Sequence, residues 1–228
     1  MVQDIKIFIS CHKEYYVPKH PFLYPIQVGA DFEHKLFQGM QPDNTGENIS
    51  FLNRRYCELT ALYWAWKNVS ADYYGLFHYR RYFSFIETHI RPYKILTEPD
   101  NSTLLLHGFE PQNMLEVINK YDIIVPVPEK MFISAYDHYK QSKYHHIEDL
   151  EMIRDIVKVF YPNFSEAVEE YFESKALFFG NMSIMKKDIF NDYCRWLFKI
   201  LNEFDNRKDF SNYNSKEMRV NGYLGERL

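Results

Sequence analysis

The sequence is poor in cysteine and glycine, carries no excess of positive charge and has no long apolar run. Its three cysteines, Cys11, Cys57 and Cys194, are far apart and lack the close spacings of a disulfide framework or a zinc site. That excludes a cysteine-stapled fold and fits a reducing compartment. No segment approaches the roughly 20 apolar residues that a membrane span requires. Asp4 and Lys6 interrupt the apolar N-terminal run, so neither a secretory signal nor a membrane anchor is expected. Lys and Arg number 27 against 31 Asp and Glu, a net charge of -4, which offers duplex nucleic acid no basic footprint. Also absent are a GxGxxG fingerprint, a P-loop, HExxH and GxSxG, which removes the usual signatures of kinases and hydrolases. There is no internal repeat and no Gly/Ser-rich linker to separate two folding units.

What is present is apolar and aromatic material for a core: 46% of the 228 residues are hydrophobic and 18% aromatic. Such a chain fits one globular α/β domain over residues 1–228. Asp4–Ser10 places Ile5, Ile7 and Ile9 at a period of two and reads as a first strand. A short extended piece around Ile26 and Val28 and the turn-rich segment PDNTGENIS follow. From Ser50, a good N-cap, Leu52, Tyr56, Leu59, Tyr63 and Trp66 recur at helical spacing, predicting one helix to about Asn68. Strand patterns at Asp72–His78, Tyr121–Val127 and Ala176–Met185 alternate with helical ones at Pro111–Lys120, Ser134–Tyr144 and Ile147–Phe160. A last helix, capped by Asp188, would carry Ile189, Tyr193, Trp196, Ile200 and Phe204. This alternation predicts an open, Rossmann-like sheet with helices on both faces.

Open α/β sheets bind ligands beyond the carboxyl ends of their strands. The segment HYRRYF, His78 to Phe83, lies there, and the planar forks of Arg80 and Arg81 match phosphate oxygens in pairs. On extended chain the two would point to opposite faces, and as solvated residues they could instead pair with Asp72 or Glu87. Ser10, His12 and Lys13 leave the first strand at the same edge, where a nucleotide base and ribose would lie, although such loop residues are often only solvated. Asn48 and Asn53 sit at the start of the long helix, whose Cys57 and Trp64 read more simply as a packing face.

Where a divalent ion on a diphosphate would call for paired carboxylates, the chain has His78-Tyr79-Arg80-Arg81. Guanidinium groups can stabilise a leaving diphosphate themselves, so no cofactor is expected and a divalent metal is not favoured. Proton acceptors for an acceptor hydroxyl are Asp149, His145 and Glu226, with His146 and Asp137 also in the second half. Asp137 could equally belong to the helix capped by Ser134.

The ordered blocks DIKIFISCHK, PIQVGA, DNTGENISFLNRRYCELTALYWAWKN, DYYGLFHYRRYF, YDIIVPVP, GNMSIMKKDIFNDYCRWLFKIL and RVNGYLGERL run through nearly the whole chain. Together they resemble a bacterial family of capsular polysaccharide and lipopolysaccharide glycosyltransferases, once known only as a domain of unknown function. The resemblance implies a GT-A-like fold, a three-layer sandwich around a mixed, mostly parallel sheet. Residues up to about 130 would bind the donor and residues 131–228 the acceptor. It implies a nucleotide-sugar donor, a uridine diphosphate hexose, with galactofuranosyl transfer in some members, and a polysaccharide or lipid-linked glycan acceptor. By position, His12, Lys13, Asn48, Asn53, Glu58, Trp64, Lys67, His78, Arg80, Arg81, Asn181, Glu226 and Arg227 match the family. Asn181 would bind acceptor hydroxyls, as would Asp137. The missing DxD departs from metal-dependent GT-A enzymes. A cytoplasmic location follows, with peripheral association at the inner membrane face. A non-catalytic carbohydrate-binding module and a sugar-nucleotide-modifying enzyme are the competing readings; donor turnover and pyrophosphate release would separate them.

Overall fold

The computed structural model describes residues 3–86, the two-residue strand at 94–95 and residues 100–228. The first strand, β1 (Ile5–Cys11), is buried on both faces. Ile5, Ile7 and Ile9 enter one core with Phe77, Tyr82 and Met114, while Phe8 enters a second with Leu62, Trp64 and Tyr74. A strand that alternates between two apolar clusters must lie inside the sheet with a layer on each side. β2 (Leu23–Gln27) and β3 (Gln41–Pro42) come next, then α1 (Asn53–Tyr56), α2 (Leu59–Asn68) and β4 (Tyr73–His78). β5 (Arg81–Tyr82) and β6 (Lys94–Ile95) form a small antiparallel extension beside β4. α3 (Asn101–Leu105), α4 (Pro111–Ile118), β7 (Ile123–Ile124) and β8 (Glu129–Lys130) lead to α5 (Ala135–Gln141) and α6 (Ile147–Phe160). The last elements are α7 (Ser165–Glu173), β9 (Ala176–Leu177), β10 (Ser183–Lys186), α8 (Lys187–Arg207) and α9 (Val220–Gly225).

The main sheet runs β3-β2-β1-β4-β10-β7. β3, β2, β1 and β4 are parallel, and β10 is antiparallel to both β4 and β7. This is the mixed, mostly parallel, Rossmann-like sheet that the alternation of elements predicts. Ser10 pairs with His78 and Cys11 with Gln27, so β1, β2 and β4 end level with one another. Among the described residues no helix is long and apolar enough to cross a membrane.

Three elements depart from expectation. The helix expected from Ser50 to Asn68 is broken at Cys57, whose φ is 51°, into a 3-10 turn (Ser50–Leu52), α1 and α2. The side-chain amide of Asn53 donates to the Cys57 carbonyl (2.7 Å) and to Thr60 Oγ1 (3.0 Å), replacing regular helical bonding there. The strand expected at Ala176–Met185 divides into β9, which pairs with β8 in a separate sheet, and β10. Between them Gly180 (φ 94°) and Asn181 (φ 50°) are both left-handed, which reverses the chain sharply. The strand expected at Tyr121–Val127 shrinks to β7, because Pro126 has no N–H to give a ladder. Asp188 lies in the first turn of α8 without capping it; Lys186 holds the cap position.

Candidate functional site

A cavity of about 760 Å³ opens at the level carboxyl ends of β1 and β4, within the size range of small-molecule sites. Ser10 and His12 reach it from the end of β1, His78 from the end of β4, and Arg80 and Arg81 from the turn that follows. The two arginines are not split between opposite faces of an extended strand, because β4 and β5 form a tight hairpin in which His78 pairs with Arg81. With Tyr79 and Arg80 in the turn, both guanidinium groups line the same cavity. Nor does Asp72 pair with them, since it precedes β4 and accepts the Asp4 N–H at the far end of the strand. Glu87 lies outside the described residues.

The remaining wall comes from α1 and the C-terminal segment. Arg54 and Arg219 line it, and sequence reasoning singled out neither, because nothing in the linear pattern links residues 54 and 219 to the exit of β4. Glu58 and Glu226 are the carboxylates on this wall among the described residues. His12 reports the sign of the field. Its pKa is lowered first by burial and then by Lys13, Arg219 and Arg80, so the ring stays neutral among cations. A chain of net charge -4 thus holds a locally positive cleft.

Glu226 is the expected proton acceptor that the structure brings into this cleft. Its pKa is raised to about 7, chiefly by burial and secondarily by Glu58, against the opposing pull of Arg227, the Gly180 N–H and Arg81. Glu226 Oε1 accepts from Gly180 N at 2.8 Å. The Gly180 carbonyl accepts from His78 Nε2 at 2.6 Å, which assigns the proton to that nitrogen. Asn181 donates from Nδ2 to Glu58 Oε1 (2.7 Å) and to the Gly222 carbonyl (3.0 Å). The left-handed pair Gly180-Asn181 therefore ties β4, the start of α2 and α9 into one wall. Strained backbone of this kind is concentrated at working sites.

Asp149 is not available for catalysis. It is fully buried, receives both Tyr213 hydroxyl contacts (2.7 Å) and pairs with Lys208 at 2.6 Å. His145 lies one ring behind the wall, between Tyr139 and Tyr223 at 4.3 Å each, with burial lowering its pKa to about 4. Asp137 sits in the first turn of α5, its backbone N–H donating to Ser134 Oγ, so it serves the cap and not the cavity wall. His146 stacks on Tyr213. Asn48 holds its own turn through Ser50 N and the Gly46 carbonyl, away from the wall. Asn53 does line the cavity, and exposed Lys13 lies over the Tyr15 and Tyr79 rings. Trp64 is a core residue whose Nε1 donates to the Thr45 carbonyl.

Among the described residues no group of three or more His, Cys, Asp or Glu side chains is placed to hold a metal. Glu58 and Glu226 already accept from Asn181 and Gly180.

Residues 6–228 match the family described as "Domain of unknown function (DUF4422)". The chain is also similar to a solved structure titled "WbbM bifunctional glycosytransferase apo structure", with 34% sequence identity and a TM-score of 0.88. The match covers 98% of this chain and 41% of that one, so the chain spans less than half the length of that protein. No curated protein matches.

Proposed function

The chain belongs to the DUF4422 family, and from that premise we propose that it is a glycosyltransferase moving a hexosyl group from a nucleoside-diphosphate sugar to a glycan acceptor. The observation that carries this reading is one cleft in which arginines face a carboxylate with a pKa near neutrality. A diphosphate leaving group needs fixed positive charge, and an attacking hydroxyl needs a base within reach. The cleft supplies both.

In the reaction, the acceptor hydroxyl oxygen attacks the anomeric carbon and a new carbon–oxygen bond forms there. The bond from that carbon to the diphosphate oxygen breaks, its electron pair leaving with the nucleoside diphosphate. Glu226 takes the hydroxyl proton. Arg80 and Arg81, with Arg54 and Arg219, hold the charge that develops on the departing diphosphate, while Ser10 and His12 contact the nucleoside. The resemblance of the motif blocks points to a uridine diphosphate hexose as donor, galactofuranose among the candidates. It also points to a capsular or lipopolysaccharide acceptor at the inner face of the membrane.

The test is turnover of a panel of uridine diphosphate hexoses, followed as slow donor hydrolysis without acceptor. Arg80→Ala and Arg81→Ala should each lower turnover by about 100-fold, the scale for removing one preorganised donor to a developing negative charge. Both side chains lie on the cavity surface, so melting temperatures should move little. Wild-type turnover in both variants, or silence of the unmodified protein across the panel, would overturn the assignment.

A further inference from the structure

Arg227 is 2% exposed, so its charge has left water, and a buried guanidinium needs acceptors for its N–H groups. Nη2 donates to His138 Nδ1 at 3.2 Å and Nη1 to the Glu226 backbone carbonyl at 3.3 Å, while Nε finds no partner among the described residues. The acceptor best suited to this charge is the Glu226 carboxylate, yet Nη1 stands 3.8 Å from Oε2. A guanidinium free to move beside a carboxylate closes to about 2.7–2.9 Å, often through two parallel bonds. Here both terminal nitrogens are held elsewhere, one by a backbone carbonyl and the other by an imidazole. Phe179 packs on both side chains, its ring centre 5.4 Å from that of His138 and 5.3 Å from Arg227 Cζ. Because a guanidinium only donates, Nδ1 of His138 is the bare nitrogen and the ring proton sits on Nε2. Burial and then Arg227 lower the His138 pKa, which keeps the ring in that neutral form near pH 7.

We propose that His138 is a positioning residue: its neutral ring holds Arg227 back from a close ion pair with Glu226 and leaves that carboxylate free to take a proton. A carboxylate in contact with a guanidinium stays ionised well below neutral pH and takes a proton poorly. Glu226 escapes this, since burial raises its pKa to about 7 against the pull of Arg227. His138 lies on α5 and does not line the cleft, so it reaches the carboxylate only through Arg227. What Glu226 does with its freedom rests on the transferase reading; the hold itself rests on the contacts of Arg227.

An NMR titration of glutamate carboxyl carbons tests the hold without turnover, the Glu226 signal being the one absent from Glu226→Gln. In the unmodified protein that signal should titrate near pH 7, and long-range proton–nitrogen spectra should show His138 Nδ1 without a proton. His138→Phe keeps a ring against Phe179 but offers no acceptor. Arg227 should then close on the carboxylate, and the Glu226 midpoint should fall by about one pH unit or more. His138→Asn, whose Oδ1 stands near the place of Nδ1, should keep the midpoint of the unmodified protein. Glu58, Arg81, Cys57 and Tyr223 also interact with Glu226, and Tyr139 and His145 with Arg227. All are the same in every variant, so a difference between variants reports the position of Arg227. The inflection of the pH–rate profile should move down with the midpoint while the donor KM holds. Circular dichroism melts separate a moved charge from a lost fold. An unchanged or higher midpoint in a folded His138→Phe, a lowered one in a folded His138→Asn, or a proton on Nδ1 of the unmodified protein would each overturn the inference. If the midpoint falls as described but no nucleotide sugar is hydrolysed, the transferase reading falls and the hold on Glu226 stands.

Discussion

Glu226 stands between opposing influences. Burial and the neighbouring Glu58 raise its pKa, while Arg227, the Gly180 N–H and Arg81 pull it down, leaving it at about 7. A base is most useful when its pKa lies near the working pH, since it is then ionised often enough and still takes a proton readily. Transfer should therefore rise through pH 7 as the carboxylate ionises. Glu226→Gln keeps the size of the side chain but cannot accept the proton, and should lower transfer by about 100-fold or more. The residual rate should show no inflection near pH 7; a pH–rate profile of both proteins checks this. Arg227 is almost fully buried and donates from Nη2 to His138 Nδ1 at 3.2 Å, which keeps its charge fixed beside Glu226. At this scale the sequence places His78, Arg80 and Arg81 at a strand exit, and all three line the cavity there. It leaves Asp149 and Glu226 indistinguishable, because which carboxylate is salt-bridged and which faces a cavity depends on distant contacts, such as Tyr213 to Asp149, 64 residues apart, and Gly180 to Glu226, 46 apart.

Elements show the same division between local and distant causes. β1, β4 and α6 are legible because each is set by its own periodicity, and their observed ends fall within about one residue of expectation. The break at Cys57 is not legible, since it is imposed by a polar network centred on Asp43. That carboxylate is fully buried and accepts from Gly29 N (2.9 Å), Ala30 N (3.0 Å), Ser50 Oγ (2.5 Å) and Thr60 Oγ1 (2.7 Å). It joins the loop after β2 to the 3-10 turn and to α2, and so sets where Asn53 and Glu58 stand on the cavity wall. PDNTGENIS, turn-rich in sequence, is therefore a clamp. Asp43→Asn would turn an amide donor toward either the Gly29 or the Ala30 N–H, which can only donate, and would remove the negative charge; charge-assisted bonds of this kind contribute about 1.5–3 kcal/mol each. A loss of about 3 kcal/mol or more in urea unfolding is expected, with a lower melting temperature. An Asp43→Asn protein as stable as the unmodified one would show that the clamp contributes nothing net.

For the molecule as a whole, the chemistry at the cleft and the stability of the fold pull against each other. Glu226 binds its proton more tightly folded than unfolded, its pKa rising from 4.5 to about 7. Its contribution to stability is complete below pH 4.5 and is lost as pH rises through 7. His145 works in the other direction: its pKa falls from 6.5 to about 4, so its contribution is complete above pH 6.5 and is lost as pH falls toward 4. Between the two limits the fold should be most stable, on the mildly acidic side of neutrality. Above pH 7 the ionised, half-buried carboxylate that the reaction uses is a burden on the fold. Replacing it by a neutral isostere should remove that burden, as stability and activity commonly oppose each other at working sites. Glu226→Gln is thus expected to unfold at higher urea than the unmodified protein at pH 8, by up to about 3 kcal/mol, with the difference shrinking to about 1 kcal/mol at pH 5. Urea titrations of both proteins at the two pH values decide it. A variant that is inactive yet no more stable at pH 8 would mean that Glu226 is already well solvated in its ionised form, and that its pKa is an ordinary carboxylate's.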